Sequence, residues 1–79
     1  MTVTLYTRRG CHLCDDAKQA IAAARRRRAF DYEEFDIDTD AKLVQLYNEE
    51  VPVIAIDGRK AFKYRITTDD LLKKLETRA

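Results

Sequence analysis

Val3, Leu5 and Thr7 alternate with Thr4 and Tyr6, the period-two spacing of a strand rich in β-branched and aromatic residues. Gly10 breaks that run, and from His12 onward the period changes. Leu13, Ala17, Ala20, Ile21 and Ala24 recur three and four residues apart, which predicts an amphipathic helix with a slender apolar face. Small alanines on that face let a helix lie close to a sheet. Arg25 to Arg28 close the helix with cations that complement the negative end of its dipole. Tyr32 to Ile37 mixes aromatic and β-branched residues with acids and predicts a second strand, whose charge suits a sheet edge guarded against further pairing. Asp38 or Thr39 can cap a second helix with Leu43, Leu46 and Tyr47 on its face, ending near Asn48.

Val53 to Ile56, Asp57-Gly58 and Lys60 to Tyr64 predict a hairpin, because Asp-Gly supplies the positive φ angles of a two-residue turn. Its strands must be antiparallel neighbours. Thr67, three residues before Asp70, fits a capping box with the shorter acid, and Ile66 with Leu71 fits a hydrophobic staple. They introduce a last helix carrying Leu71, Leu72 and Leu75. The order is strand, helix, strand, helix, strand, strand, helix. Its first half is a βαβ unit, which forces two parallel strands joined by a right-handed crossover. The second half adds an antiparallel hairpin and a closing helix. The expected class is α/β, a β-α-β-α-β-β-α chain forming a mixed four-stranded sheet with helices on both faces.

A chain of 79 residues supports one core, so residues 1–79 are expected to form a single domain. With 46% hydrophobic and 37% charged residues it is too apolar for a disordered tail. The longest apolar stretch, Val51 to Ile56, is far too short to span a bilayer, and no targeting segment is expected, since the first ten residues include Arg8 and Arg9 but no long apolar run. A soluble cytoplasmic monomer without a membrane partner is the expectation. The net charge of +1 is distributed in blocks: +5 over residues 1–29, −8 over 30–57 and +4 over 58–79. Such blocks make a dipolar surface that could steer a charged partner protein. The arginine run reads as a solvated helix end rather than a nucleic-acid patch, since no aromatics interleave it and the middle of the chain is acidic.

Cys11 and Cys14 are the two cysteines, and a bridge between them closes a four-residue loop. Loop entropy gives so short a bridge about 2 kcal/mol before strain, against about 3 for fifteen residues. The pair therefore reads as chemistry, and an isolated dithiol favours a reducing compartment. A thiol at a helix N-terminus faces unpaired backbone N–H groups, which favour thiolate. Cys11 gains most, while Cys14 lies a turn deeper. Lowering a thiol pKa from about 8.5 to about 7 raises the attack rate only roughly threefold, and the larger benefit is a better leaving group when the disulfide is reduced. Arg8 and Arg9 push the same way, whereas Asp15 and Asp16 oppose it. Two rivals are a pair of buried structural thiols and a Cys-x-x-Cys metal carrier, but copper-carrying domains end strand-helix-strand. A closed zinc site needs four ligands, and Cys11, Cys14 and His12 are too few, so no metal is expected. His12 reads as an exposed linker residue, Tyr6 and Phe62 as core or near-core aromatics, and Tyr64 as a candidate wall of the cleft.

With a strand before it and a helix after it, this motif resembles the glutaredoxin-like branch of the thioredoxin-fold superfamily. Tyr6-Thr7-Arg8 with Gly10-Cys11-x-x-Cys14, Phe35-Asp36-Ile37-Asp38 and Val51-Pro52-Val53 carry the likeness over nearly the whole chain. Cys-His-Leu-Cys followed by two aspartates is most similar to small bacterial glutaredoxin-like proteins. The resemblance implies a dithiol–disulfide oxidoreductase in electron transport, with Cys11 as nucleophile and Cys14 as resolving thiol. Pro52 would be a cis-proline facing the disulfide, an arrangement that costs only about 0.5–1 kcal/mol at an X–Pro bond. The Val51 backbone would pair with a bound thiol substrate, and Arg8 stands where relatives place a basic residue for a glutathione carboxylate. No bound cofactor is implied beyond the redox-active Cys11–Cys14 disulfide. The implied partners are a disulfide-containing protein or small thiol, and a thiol or flavoprotein reductase, glutathione being one candidate reductant. Two departures stand out: Phe62-Lys63-Tyr64-Arg65 occupies the region where glutaredoxins usually carry paired glycines, and Glu50 replaces the usual threonine before Val51. A binding or adaptor module that keeps the fold without turnover is the alternative those departures raise.

Overall fold

A computed structural model of the chain describes residues 1–78. Strand β1 (Thr2–Thr7) leads into helix α1 (His12–Arg27), then strand β2 (Asp31–Asp36), helix α2 (Ala41–Tyr47), strands β3 (Val53–Ile56) and β4 (Arg59–Lys63), and helix α3 (Thr68–Arg78). Two 3₁₀ turns, Ile37–Thr39 and Asn48–Glu50, flank α2. The sheet order is β2-β1-β3-β4. β1 runs parallel to β2, with Thr2 opposite Asp31 and Thr7 opposite Asp36, and antiparallel to β3, with Val3 opposite Ile56. The acidic strand thus lies at one edge, as its composition predicts, and the mixed four-stranded sheet carries helices on both faces.

Alternation along β1 sorts the packing. Val3 and Leu5 point to the face covered by α1 and α3, where they join Ala17, Ile21, Ala24, Phe30, Ile54, Ile56, Leu71 and Leu75 in one buried cluster. Tyr6 points to the other face, where α2 supplies half-buried Leu43, Val44 and Tyr47. Asp57 (φ 50°) and Gly58 (φ 84°) form the expected two-residue turn between β3 and β4. The pairing shifts between Ile54, opposite Phe62, and Ala55, opposite Lys60, leaving Ala61 as the extra residue of a bulge. Thr67 Oγ1 accepts the Asp70 N–H at 3.1 Å, starting α3 as predicted.

The structure departs from the sequence reading around α2. Neither Asp38 nor Thr39 caps it: the cap is Asp40, whose carboxylate accepts the Lys42 N–H at 2.9 Å. Asp36 caps the preceding 3₁₀ turn by accepting the Asp38 N–H, also at 2.9 Å, so Ile37 leaves the strand and is buried in the turn. Leu46 is 63% exposed and lies off the packed face, its place taken by Val44. β4 ends at Lys63 rather than Tyr64, because Tyr64 turns into the left-handed region at φ 69°. No helix among the described residues is long and apolar enough to cross a membrane.

Candidate active site

Gly10, at φ 72°, turns the chain out of β1 in a backbone conformation that a side chain would disfavour. Cys11 follows as the N-cap of α1, with extended backbone, and Cys14 lies one turn in. The two are joined in a disulfide with their Cα atoms 5.2 Å apart. The Cys14 N–H donates to Cys11 Sγ at 3.0 Å, and the Asp15 N–H donates to the Cys11 carbonyl at 3.2 Å. In the oxidised protein Cys11 Sγ stands where reduction leaves a thiolate, and a donor aimed there favours negative charge on that sulfur. Cys14 is 1% exposed, whereas Cys11 is partly open to solvent. His12, Asp15 and Asp16 are exposed around it.

The Val51–Pro52 turn comes to the same place. Val51 packs with Cys14 and Ile37 in a second buried cluster, ringed by half-buried Tyr6, Cys11, Leu43, Val44 and Tyr47. The Val51–Pro52 peptide bond is cis. The Pro52 carbonyl accepts the Tyr64 N–H at 2.9 Å, which ties the end of β4 to this turn. Tyr64 then lines a cavity of about 180 Å³ with Leu13, Asp16, Ala17, Arg65, Ile66 and Thr67, beside the first turns of the dithiol helix. Tyr6 stacks on Phe35 with ring centroids 5.9 Å apart and packs tilted against Tyr47 at 4.5 Å. Burial, reinforced by Tyr47, pushes its hydroxyl pKa up.

The charged residues of the site are paired across long sequence distances. Arg8 donates to both oxygens of Asp38, from Nη2 at 2.6 Å and Nε at 3.2 Å, and from Nη1 to the Asn48 carbonyl at 3.2 Å and to Asn48 Oδ1 at 3.4 Å. The hydrogen bond from Arg8 holds the Asp38 carboxyl below its ordinary pKa of 3.8. Glu50 pairs with Lys60 at 2.6 Å and Lys63 at 3.8 Å, and the Lys60 hydrogen bond likewise holds its pKa below 4.5. Cys11, Cys14 and Val51 thus gather in one cluster, Pro52 follows Val51 in the chain, and Arg8, three residues before Cys11, turns to Asp38 and Asn48. Sequence reasoning missed Asp38, Asn48, Lys60 and Lys63 as partners. The Arg8 partners lie 30 and 40 residues away, and no local signal marks such pairings. Among the described residues no group of three or more His, Cys, Asp or Glu side chains is placed to hold a metal ion.

Comparison with known proteins places this geometry. Residues 2–76 match the glutaredoxin-like domain (DUF836) family. Over 83 aligned residues the chain is 36% identical to the glutaredoxin-like protein YDR286C homolog of Dictyostelium discoideum, covering 98% of this chain and 77% of that protein. The crystal structure of the X. campestris protein XcR50 superposes with a TM-score of 0.80 at 37% identity, over 95% of this chain and 96% of that one. NrdH-redoxin of Escherichia coli shares the fold, with a TM-score of 0.64 at 24% identity over 95% of each chain.

Proposed function

The chain belongs to the glutaredoxin-like domain family, and from that premise we propose that it is a dithiol–disulfide oxidoreductase. The observation that carries the reading is the asymmetry of the two sulfurs: Cys11 is accessible and receives an N–H at 3.0 Å, while Cys14 is buried behind it. The Cys11 thiolate attacks one sulfur of a substrate disulfide. A Cys11–substrate bond forms, and the second substrate sulfur departs as a thiolate that takes a proton from solvent. Cys14, having lost its own proton, then attacks Cys11 Sγ. The mixed disulfide breaks, the substrate leaves as its second thiolate, and the Cys11–Cys14 bond closes. Two electrons have passed to the substrate, and a thiol or flavoprotein donor returns them.

Val51, with Pro52 next to it in the chain, supplies the wall against which the substrate sulfur rests, and the buried packing of Val51 with Cys14 fixes that wall to the dithiol. A reducing cytoplasm suits the pair, because it keeps the dithiol form available. Glutathione is one donor to assay, and the Glu50 charge beside Val51 is met by Lys60 and Lys63. The test is trapping. Cys14→Ser should accumulate the mixed disulfide with a substrate protein on non-reducing gels, and Cys11→Ser should not. Equal trapping by both variants would sink the assigned roles. Alkylation of Cys11 is expected to inflect near neutral pH, whereas reaction only above about pH 8 would fit an adaptor without turnover.

A further inference from the structure

We propose that Arg8 is a positioning residue, a cross-brace that fixes the dithiol loop against the Val51–Pro52 turn, its charge committed to Asp38 rather than offered to a substrate carboxylate. Arg8 lies three residues before Cys11, and Asn48 three residues before Val51. One guanidinium therefore spans the two loops on which the proposed oxidoreductase chemistry depends. All three of its nitrogens are occupied: Nε and Nη2 form a fork on the Asp38 carboxylate, and Nη1 reaches the Asn48 carbonyl. That carbonyl belongs to the C-cap of α2, where backbone acceptors lack helical partners. The fork fixes orientation as well as distance, which an ammonium could not do.

The brace has little competition from packing. Neither α2 nor the Asn48–Glu50 turn contains a fully buried residue. The Arg8 and Asp38 side chains are 30% and 48% exposed, and an exposed ion pair adds little to folding stability. Its contribution is geometric. A substrate carboxylate would have to compete for the Nε–Nη2 fork with Asp38, a competitor tethered in the same chain at high effective concentration. The site accordingly gains nothing from a carboxylate on its substrate and handles disulfides with or without one alike.

This inference rests on the oxidoreductase reading, and one experiment separates the two. Arg8→Gln, Asp38→Asn and the double variant are assayed with dithiothreitol as donor on insulin and on a glutathionylated peptide. Each single variant should lower kcat/KM about tenfold on both substrates, chiefly through kcat, with the double variant no worse than either. Arg8→Lys should restore only part of the loss. Hydrogen exchange over residues 44–53 should accelerate in the same variants while Tm changes little. A carboxylate receptor predicts the opposite split: Arg8→Gln raises KM for the glutathionylated peptide alone, and Asp38→Asn lowers it by freeing the arginine. That result would overturn the brace, as would a fall in Tm with kcat/KM unchanged. If the wild-type protein reduces neither substrate, the oxidoreductase reading fails, and unchanged exchange in Arg8→Gln would then overturn the brace on its own.

Discussion

On one face of the sheet, Val3, Leu5, Ile54 and Ile56 lie fully buried beneath α1 and α3, which contribute Ala17, Ile21, Ala24, Leu71 and Leu75. On the other face, α2 is seven residues long and buries none of its side chains completely. There the buried members of the cluster are Cys14, Ile37 and Val51, and the Tyr6 stack and exposed ion pairs lie around them. The first face holds the domain together. The second is thin, and the candidate site lies against it. α1 belongs to both, since its middle anchors in the large cluster while Cys14, at its first turn, joins the small one. The difference teaches how a chain of this size can place a cysteine pair: the pair rides on the helix that the larger core secures, while the segment leading to the Val51–Pro52 turn makes mostly polar contacts.

The largest expected effect tests that division through packing. Leu75→Ala, at a position with no exposed surface, should cost about 2–5 kcal/mol, a large share of the roughly 5–15 kcal/mol that a small domain possesses. Leu43→Ala on the half-buried second face should cost about 1 kcal/mol. Urea denaturation of both variants checks the contrast, and equal losses would mean that the two faces share the stabilising role.

A smaller effect follows from reducing the Cys11–Cys14 bond. Its four-residue loop limits the loss of stability to about 2 kcal/mol, so the reduced protein should remain folded at room temperature. Thermal unfolding with and without dithiothreitol measures this. Global unfolding on reduction would show the bridge to be scaffold rather than chemistry.

The smallest effect is electrostatic and confined to the second face. The folded-state pKa values of Asp38 and Glu50 lie below their ordinary 3.8 and 4.5, through hydrogen bonds from Arg8 and Lys60 respectively. A depressed carboxylate pKa contributes stability that is present above the unfolded value and disappears as pH falls through the folded one. Both pairs should therefore survive mild acidification and fail only below the ordinary carboxylate range. Hydrogen exchange measured against pH should show the segments around Asn48–Glu50 opening before the core strands in acid. Simultaneous opening of both faces would contradict the separation.

Much of the architecture was legible because it is written in short-range periodicity. The alternation in β1, the alanine face of α1, the Asp57-Gly58 turn and the Thr67 cap each depend on residues within a few positions of one another. The region before α2 was not, and the reason is specific. Asp36, Asp38, Thr39 and Asp40 are all competent to cap, and local propensity does not rank them. Asp38 is withdrawn from that competition by Arg8, Thr39 turns its hydroxyl back to the Asp36 carbonyl at 2.7 Å, and Asp40 is left to start the helix. The buried stripe of α2 was ambiguous for a related reason: over two turns Val44 and Leu46 fit equally well beside Leu43 and Tyr47, and only the underlying sheet selects Val44.

The same division runs through the site. Residue types and spacing alone established a Cys-x-x-Cys pair at a strand-to-helix junction, because a helix start offers its N–H groups to the residues beside it. They also established the order of strands and helices, whose patterns are local. Tertiary structure paired the charges. That Arg8 reaches Asp38, and that Glu50 meets Lys60 and Lys63, depends on which distant segments the sheet brings within hydrogen-bond reach. Coulombic and hydrogen-bond partners act through space and not along the chain, so composition could count those charges but could not pair them.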